Sequence, residues 1–159
     1  MLDFLKRGFK LVAPVSGKVI DLSEVPDDIF ADRMVGEGVA IDATDDIVVA
    51  PADGEISLIF KTNHAFGMLL DNDIEVLVHI GLDTISLGGE GFKRLVEEGQ
   101  RVKAGDPILK VDREYITSRN CSLVTPVLIT NHDMVTFTSF NIGKNVTAGS
   151  DVIFEYKLK

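Results

Sequence analysis

Two histidines, His64 in Thr62-Asn63-His64-Ala65-Phe66 and His79 in Val76-Leu77-Val78-His79-Ile80-Gly81-Leu82-Asp83, stand fifteen residues apart in a stretch that reads as one hairpin. Asp71-Asn72 has the residue types of a two-residue turn, which pairs Leu70 with Asp73 and, counting back, sets His64 directly opposite His79. Opposed residues carry Cβ atoms about 4.5–5.5 Å apart on one face of a sheet. A turn shifted by one residue would put the two on opposite faces. Imidazoles so placed, flanked by Phe66 and Leu77, are either a nucleophile with a hydrogen-bond donor or two ligands of a metal.

Neutral imidazole is a competent nucleophile near pH 7, because an unperturbed pKa of about 6.5 leaves one ring nitrogen with a free lone pair. Phosphoryl transfer asks little more of an acceptor, since its loose transition state is served by in-line positioning and by donors to the equatorial oxygens. A second imidazole supplies such a donor if its other nitrogen is held. Thr62, two residues before His64 and on the same face of a strand, carries a hydroxyl for that purpose. Gly81 would leave room beside the reacting centre. A lone histidine in an apolar strand is ordinarily a satisfied core or surface residue, and His132, in a turn-like Asn131-His132-Asp133, reads that way. Cys121 lies in a polar loop with nothing beside it to mark an activated thiolate.

The elements that must position the pair are mostly strands. Candidates run over 11–13, 17–21, 38–42, 47–50, 54–60, 65–70, 74–80, 101–103, 107–111, 123–130, 134–139 and 152–157, with helical turns at 29–32, 84–87 and 92–96. Many short strands with frequent turn signals predict an all-β, antiparallel sandwich or barrel. Two internal echoes predict duplicated strand-turn-strand units: Ala13-Pro14-Val15-Ser16-Gly17 with Ala50-Pro51-Ala52-Asp53-Gly54, and Gly99 to Ile108 with Gly143 to Val152. No linker divides the chain, so residues 11–159 read as one domain after a flexible basic and apolar tail at 1–10.

Composition narrows the function. At 159 residues with 45% apolar content the chain can bury one sizeable core, and no run is long enough to span a bilayer. One cysteine allows no internal disulfide and fits a reducing compartment, which with the absence of a secretory signal predicts a cytoplasmic protein. A formal charge of −9 argues against nucleic acid and suits a basic protein partner, with many acids falling between Asp21 and Asp46. The tail places Phe4, Leu5 and Phe9 among Lys6, Arg7 and Lys10, a composition for weak contact with anionic lipid, though ten residues are short for an interfacial helix.

The segments Ala13-Pro14-Val15-Ser16-Gly17, Asp21 to Phe30, Met34-Val35-Gly36-Glu37-Gly38, Thr62 to Phe66, Val78 to Thr84, Gly89-Glu90-Gly91-Phe92 and Gly99 to Val102 resemble, in order, the glucose-type enzyme IIA component of the bacterial phosphoenolpyruvate-dependent sugar phosphotransferase system. The resemblance implies a single EIIA domain, a phosphocarrier with both histidines on a shallow face of a β-sandwich. His79 would accept the phosphoryl group on Nε2 from the phosphohistidine carrier HPr and pass it to a cysteine of a IIB domain of a glucose-family permease. His64 would stabilise that group, and Thr62 would orient His64. Ile29, Phe30, Met34, Val35, Phe60, Phe66 and Leu77 would form an apolar docking surface with Asp83 beside it, while Asp28 departs from the apolar residue expected at its edge. No cofactor is required. In some relatives the unphosphorylated form regulates other proteins with zinc between both histidines, so the resemblance makes His64 and His79 metal ligands only at such a partner interface.

Three other classes share features with this chain. A zinc hydrolase would need a third ligand, and the His-x-His motif of the related duplicated-β peptidases is missing. A biotinyl or lipoyl carrier needs a lysine at a hairpin tip, which Asp71-Asn72 does not offer. A regulatory binding module would use the same apolar face without turnover.

Overall fold

Apolar runs too short for helices, closed by Gly, Asp and Asn turns, fold into strands that pair antiparallel throughout. The computed structural model describes residues 8–159. In chain order the strands are β1 (Gly8–Val12), β2 (Gly17–Asp21), β3 (Glu37–Ala43), β4 (Ile47–Val49), β5 (Gly54–Ile59), β6 (Ala65–Leu70), β7 (Glu75–His79), β8 (Phe92–Arg94), β9 (Arg101–Val102), β10 (Pro107–Val111), β11 (Val124–Ile129), β12 (Val135–Phe140), β13 (Asn145–Val146) and β14 (Val152–Leu158). An eight-stranded sheet, β13-β2-β3-β11-β7-β6-β5-β9, faces two smaller ones, β1-β14-β12 and β4-β10-β8. Val19, Ile41, Phe66, Val78 and Val127 of the large sheet pack with Leu11, Phe154 and Tyr156 of one small sheet and with Val48 and Leu109 of the other. This is the expected antiparallel β-sandwich. It is not a closed barrel, because β13 and β9 remain separate edges of the large sheet.

Several boundaries differ from the sequence reading. Residues 92–96 are not a helical turn: Phe92–Arg94 pair with β10, and Phe92 and Val96, four apart like one face of a helix, are instead separate buried points of an extended segment. The helix Arg113–Ser118 was not expected, although Asp112 marks its start by accepting from the Tyr115 amide. The tail assigned to residues 1–10 is too long, since Gly8, Phe9 and Lys10 pair with Lys157, Tyr156 and Glu155. The remainder of that tail lies outside the described residues.

The echoes correspond to a two-fold repeat in the hydrogen bonding. The Gly105 amide donates to the Ala50 carbonyl at 2.8 Å, and Gly149 donates to Ala13 at 2.9 Å. Ala104 donates to the Asp53 side chain at 2.8 Å, and Ala148 to that of Ser16 at 2.9 Å. The order of the large sheet is palindromic in the same sense, with β13, β2, β3 and β11 matched by β9, β5, β6 and β7.

The face of the large sheet turned away from the core is also apolar. Ala40 and Leu128, with the partly buried Ile20, Leu77 and Val124, are covered there by Leu22, Val25 and Phe30. That cover is the short helical stretch Leu22–Glu24 and the helix Asp28–Ala31, each started by an aspartate, Asp21 and Asp27, whose side chain accepts a backbone amide two residues on. The cover stops short of β6 and β5, and the histidines lie at its margin.

Candidate functional site

The β6–β7 hairpin is closed by three residues rather than two. Leu70 pairs with Ile74 through its amide at 2.9 Å, the Asp73 amide donates to the Leu70 carbonyl at 3.0 Å, and Asp73 takes a left-handed φ of 66°. A two-residue type I′ turn needs positive φ at both central positions, whereas this loop needs it at one only. Asp71-Asn72, without a glycine, takes the second solution. The register therefore moves by one, and His79 stands opposite Ala65, not His64.

That shift ought to separate the histidines, yet their ring centroids are 4.9 Å apart at an interplanar angle of 81°. His64 lies one residue outside β6, directly after Asn63, whose left-handed φ of 56° turns the chain. Beyond the strand end the alternation of faces no longer binds it. Thr62 is likewise in a turn, not on a strand face, with the Asn63 amide donating to the Phe60 carbonyl at 2.8 Å. From that turn the Thr62 hydroxyl shares a 2.5 Å hydrogen bond with His64 Nδ1.

On the other side, β7 parts from β11 at His79 while it stays paired to the β6 side, where the Ile80 amide donates to the His64 carbonyl at 2.7 Å. Its ladder to β11 ends at Val78 and Val127, and the next position on β11 is Pro126, which has no amide hydrogen to continue it. His79 Nδ1 lies 2.8 Å from the Gly81 carbonyl oxygen. A carbonyl only accepts, so Nδ1 carries the proton and Nε2 keeps the lone pair. Gly81 is more than a spacer: at φ +77° a Cβ there would sit 2.6 Å from the Ser122 carbonyl oxygen and from Thr84 Cγ2. Only glycine lets that carbonyl turn toward the ring.

Both rings are held neutral. Burial, reinforced by the nearby His79, pushes the His64 pKa down to about 4, in keeping with its 2% exposure. Burial also lowers His79, which is half-buried, against the opposing pull of the Gly81 carbonyl, Asp27 and Asp83. Asp27 was not singled out as a site residue by the sequence reading. Its signal was its place as a helix-starting aspartate two residues before Ile29, and that helix sets the Phe30 ring 4.9 Å from His79, tilted at 57°.

The residues expected to form the docking surface divide into three groups. Ile29 and Met34 are exposed at 50% and 73%, and Asp83 is exposed as well. Val35, Leu77 and Phe60 are partly buried, with the Phe60 ring 5.2 Å from His64, and Phe30 is buried with its ring against His79. Phe66 is a correction: at 0% exposure it points into the main core and offers nothing to a partner. The hairpin shift does not cause this, since Phe66 follows the same alternation as Met68 and Leu70. Asp28 is exposed at the first residue of its helix, where a carboxylate favours the positive end. His132 is exposed in the short helical turn His132–Met134, and Cys121 is half-buried with its Sγ 3.9 Å from the Asp83 carbonyl oxygen.

The chain is similar to known proteins over most of its length. Residues 9–135 match the family described as phosphoenolpyruvate-dependent sugar phosphotransferase system, EIIA 1. The chain is 45% identical over 149 residues to the PTS system glucose-specific EIIA component of Bacillus anthracis, covering 94% of this chain and 90% of that one. It is 46% identical to part of the PTS system N-acetylglucosamine-specific EIICBA component of Klebsiella pneumoniae, covering 94% of this chain but 23% of that longer protein. Among solved structures, glucose permease IIA from Mycoplasma capricolum superposes with a TM-score of 0.88 at 37% identity, covering 94% of this chain and 96% of the other.

Proposed function

The chain belongs to the EIIA 1 family of the phosphoenolpyruvate-dependent sugar phosphotransferase system, a family of phosphocarriers in sugar uptake, and on that premise we propose that His79 is its phosphoryl acceptor. The observation that carries this is the Gly81 carbonyl on Nδ1, which leaves Nε2 as the one nucleophilic nitrogen of the ring. In the first step the P–N bond of phospho-HPr breaks as a P–Nε2 bond forms on His79. In the second, a thiolate of a permease IIB domain attacks phosphorus, a P–S bond forms, and His79 Nε2 recovers its lone pair. Both steps are phosphoryl displacements whose cost is mainly alignment and charge stabilisation.

His64 provides the stabilisation. With the Thr62 hydroxyl donating to its Nδ1, the ring carries its proton on Nε2 and offers it to the phosphoryl oxygens without adding a charge. Ile29, Met34, Val35, Phe60 and Leu77 frame the pair with apolar surface, and Asp27 and Asp83 give that surface negative charge. A partner with basic residues around its own reacting group is favoured on both counts. The chemistry needs no cofactor. Zinc would find two ligands here in His64 and His79, with the rest left to a partner, since among the described residues no group of three or more His, Cys, Asp or Glu is arranged to hold a metal. Among the described residues no helix is long and apolar enough to cross a membrane. Work between a phosphoenolpyruvate-fed carrier and the inner side of a permease would be carried out in the cytoplasm.

Incubation with phosphoenolpyruvate, enzyme I and HPr tests the proposal by mass. One acid-labile phosphoryl group is expected on the parent and none on His79→Ala. His64→Ala should still be labelled but should pass the group on about a hundredfold more slowly, the usual cost of losing one donor to a charged transition state. Labelling of His79→Ala at the parental rate would overturn the assignment.

A further inference from the structure

His64 depends on a turn that another sheet holds in place. Asn63 has a left-handed backbone, and the turn from Phe60 to Asn63 carries the Thr62 hydroxyl that meets His64 Nδ1. Left to itself, a four-residue turn ending in a left-handed residue has several conformations of similar energy. Arg94, at the end of β8 in the small β4-β10-β8 sheet, reaches across to it. Its Nε donates to the Asn63 side-chain oxygen at 2.8 Å, and an Nη donates to the Phe60 carbonyl at 3.4 Å. A third contact pairs the other Nη with the exposed Glu97 carboxylate at 3.7 Å. The two ends of the turn are thus held by one planar fork. Arginine has the donors and the rigidity for this, and lysine, a point charge on a flexible stem, does not.

We propose that Arg94, acting through Asn63, is a positioning residue for the His64 donor, setting the Phe60–Asn63 turn so that Thr62 fixes the tautomer and direction of the His64 ring. Arg94 touches neither histidine and takes no part in bond making. The inference rests on the phosphocarrier reading for its kinetic consequence but not for its geometric one.

The measurement pairs kinetics with nitrogen NMR on the full chain. Arg94→Met keeps the apolar stem and removes the fork; Asn63→Gly keeps the left-handed backbone and removes the acceptor. In both, the His64 Nδ1 and Nε2 shifts at fixed pH should move from a single-tautomer pattern toward averaged values, with His79 unchanged. Acceptance from phospho-HPr should stay within about twofold, while onward transfer to a IIB domain falls about tenfold, because a small misplacement of a group acting at the transition state is costly. Arg94→Lys should recover only part of the loss. Parental His64 shifts in Asn63→Gly, or equal losses in both transfer steps for either variant, would overturn the proposal. The ring shifts are read without any phosphoryl donor. A parent that shows the single-tautomer pattern but is never phosphorylated would refute the relay and leave the placement of His64 standing.

Discussion

Two imidazoles with the same solution pKa are held differently here because their Nδ1 atoms meet different partners. The Gly81 carbonyl forces a proton onto Nδ1 of His79, whereas Thr62 is able to donate to Nδ1 of His64. Burial adds a consequence for stability. With its folded pKa near 4 and an unfolded value near 6.5, His64 binds a proton in the unfolded chain before it does so in the folded one. Stability from this group is complete above pH 6.5 and is lost as pH falls through the window to about 4, with a slope of at most about 1.4 kcal/mol per pH unit. Urea unfolding of the parent and of His64→Gln between pH 4.5 and 7.5 measures it: the parent should lose stability more steeply on acidification, and parallel curves would refute the burial. At this scale the sequence disclosed the candidate residues His64, His79 and Thr62, and the structure brings their side chains together. It did not disclose Asp27, Arg94 or the Gly81 carbonyl, because a backbone oxygen and long-range contacts leave no mark on local residue pattern.

Between residues and fold, the β6–β7 hairpin shows how register is decided. Strand positions were legible from alternation alone, and β2, β6, β10 and β11 fall close to where the pattern put them. The turn was not, because Asp71-Asn72-Asp73 suits loops of two or three residues equally in composition and differs only in which positions must take positive φ. The predicted juxtaposition of the histidines survives for another reason, the release of His64 from the strand pleat after Asn63. The strands β9 and β13, two residues each, and β8, three residues long, are too short to set up a period, and β8 and β13 were missed on that account. Asp73 provides the check. Its left-handed backbone costs a non-glycine residue on the order of 1 kcal/mol, part of which glycine returns to the unfolded chain as entropy. Asp73→Gly should therefore raise unfolding stability by about 0.5 kcal/mol, read from the urea midpoint, and leave phosphoryl acceptance unchanged. A loss of stability would mean that the Asp73 side chain supports the loop.

For the molecule as a whole, the repeat explains why there is one site and not two. Carrying the ladder registers across the palindromic sheet places Glu37 on β3 where His64 precedes β6, and Leu128 on β11 where His79 ends β7. The first half buries Leu128 completely under Leu22, Val25 and Phe30, whereas its counterpart His79 is only half-buried, so the same framework yields a covered face and a more open one. The halves meet where Gly105 and Gly149 cross, and there the repeat is not perfect. A Cβ on Gly149 would lie 3.3 Å from the Gly105 Cα, while one on Gly105 would lie 3.9 Å from the Gly149 Cα. Both positions have left-handed φ, +78° and +91°, so alanine brings similar backbone strain to each. Gly105→Ala should therefore cost about 1 kcal/mol from strain alone. Gly149→Ala should cost about 2 kcal/mol, since the crossing must also open against backbone with no flexible side chain to give way. Urea unfolding of the two variants side by side reads the difference directly. Labelling by phospho-HPr at a temperature where both are folded should match the parent, because neither glycine contacts the histidine pair; equal costs at the two positions would mean that the crossing is looser than its packing indicates.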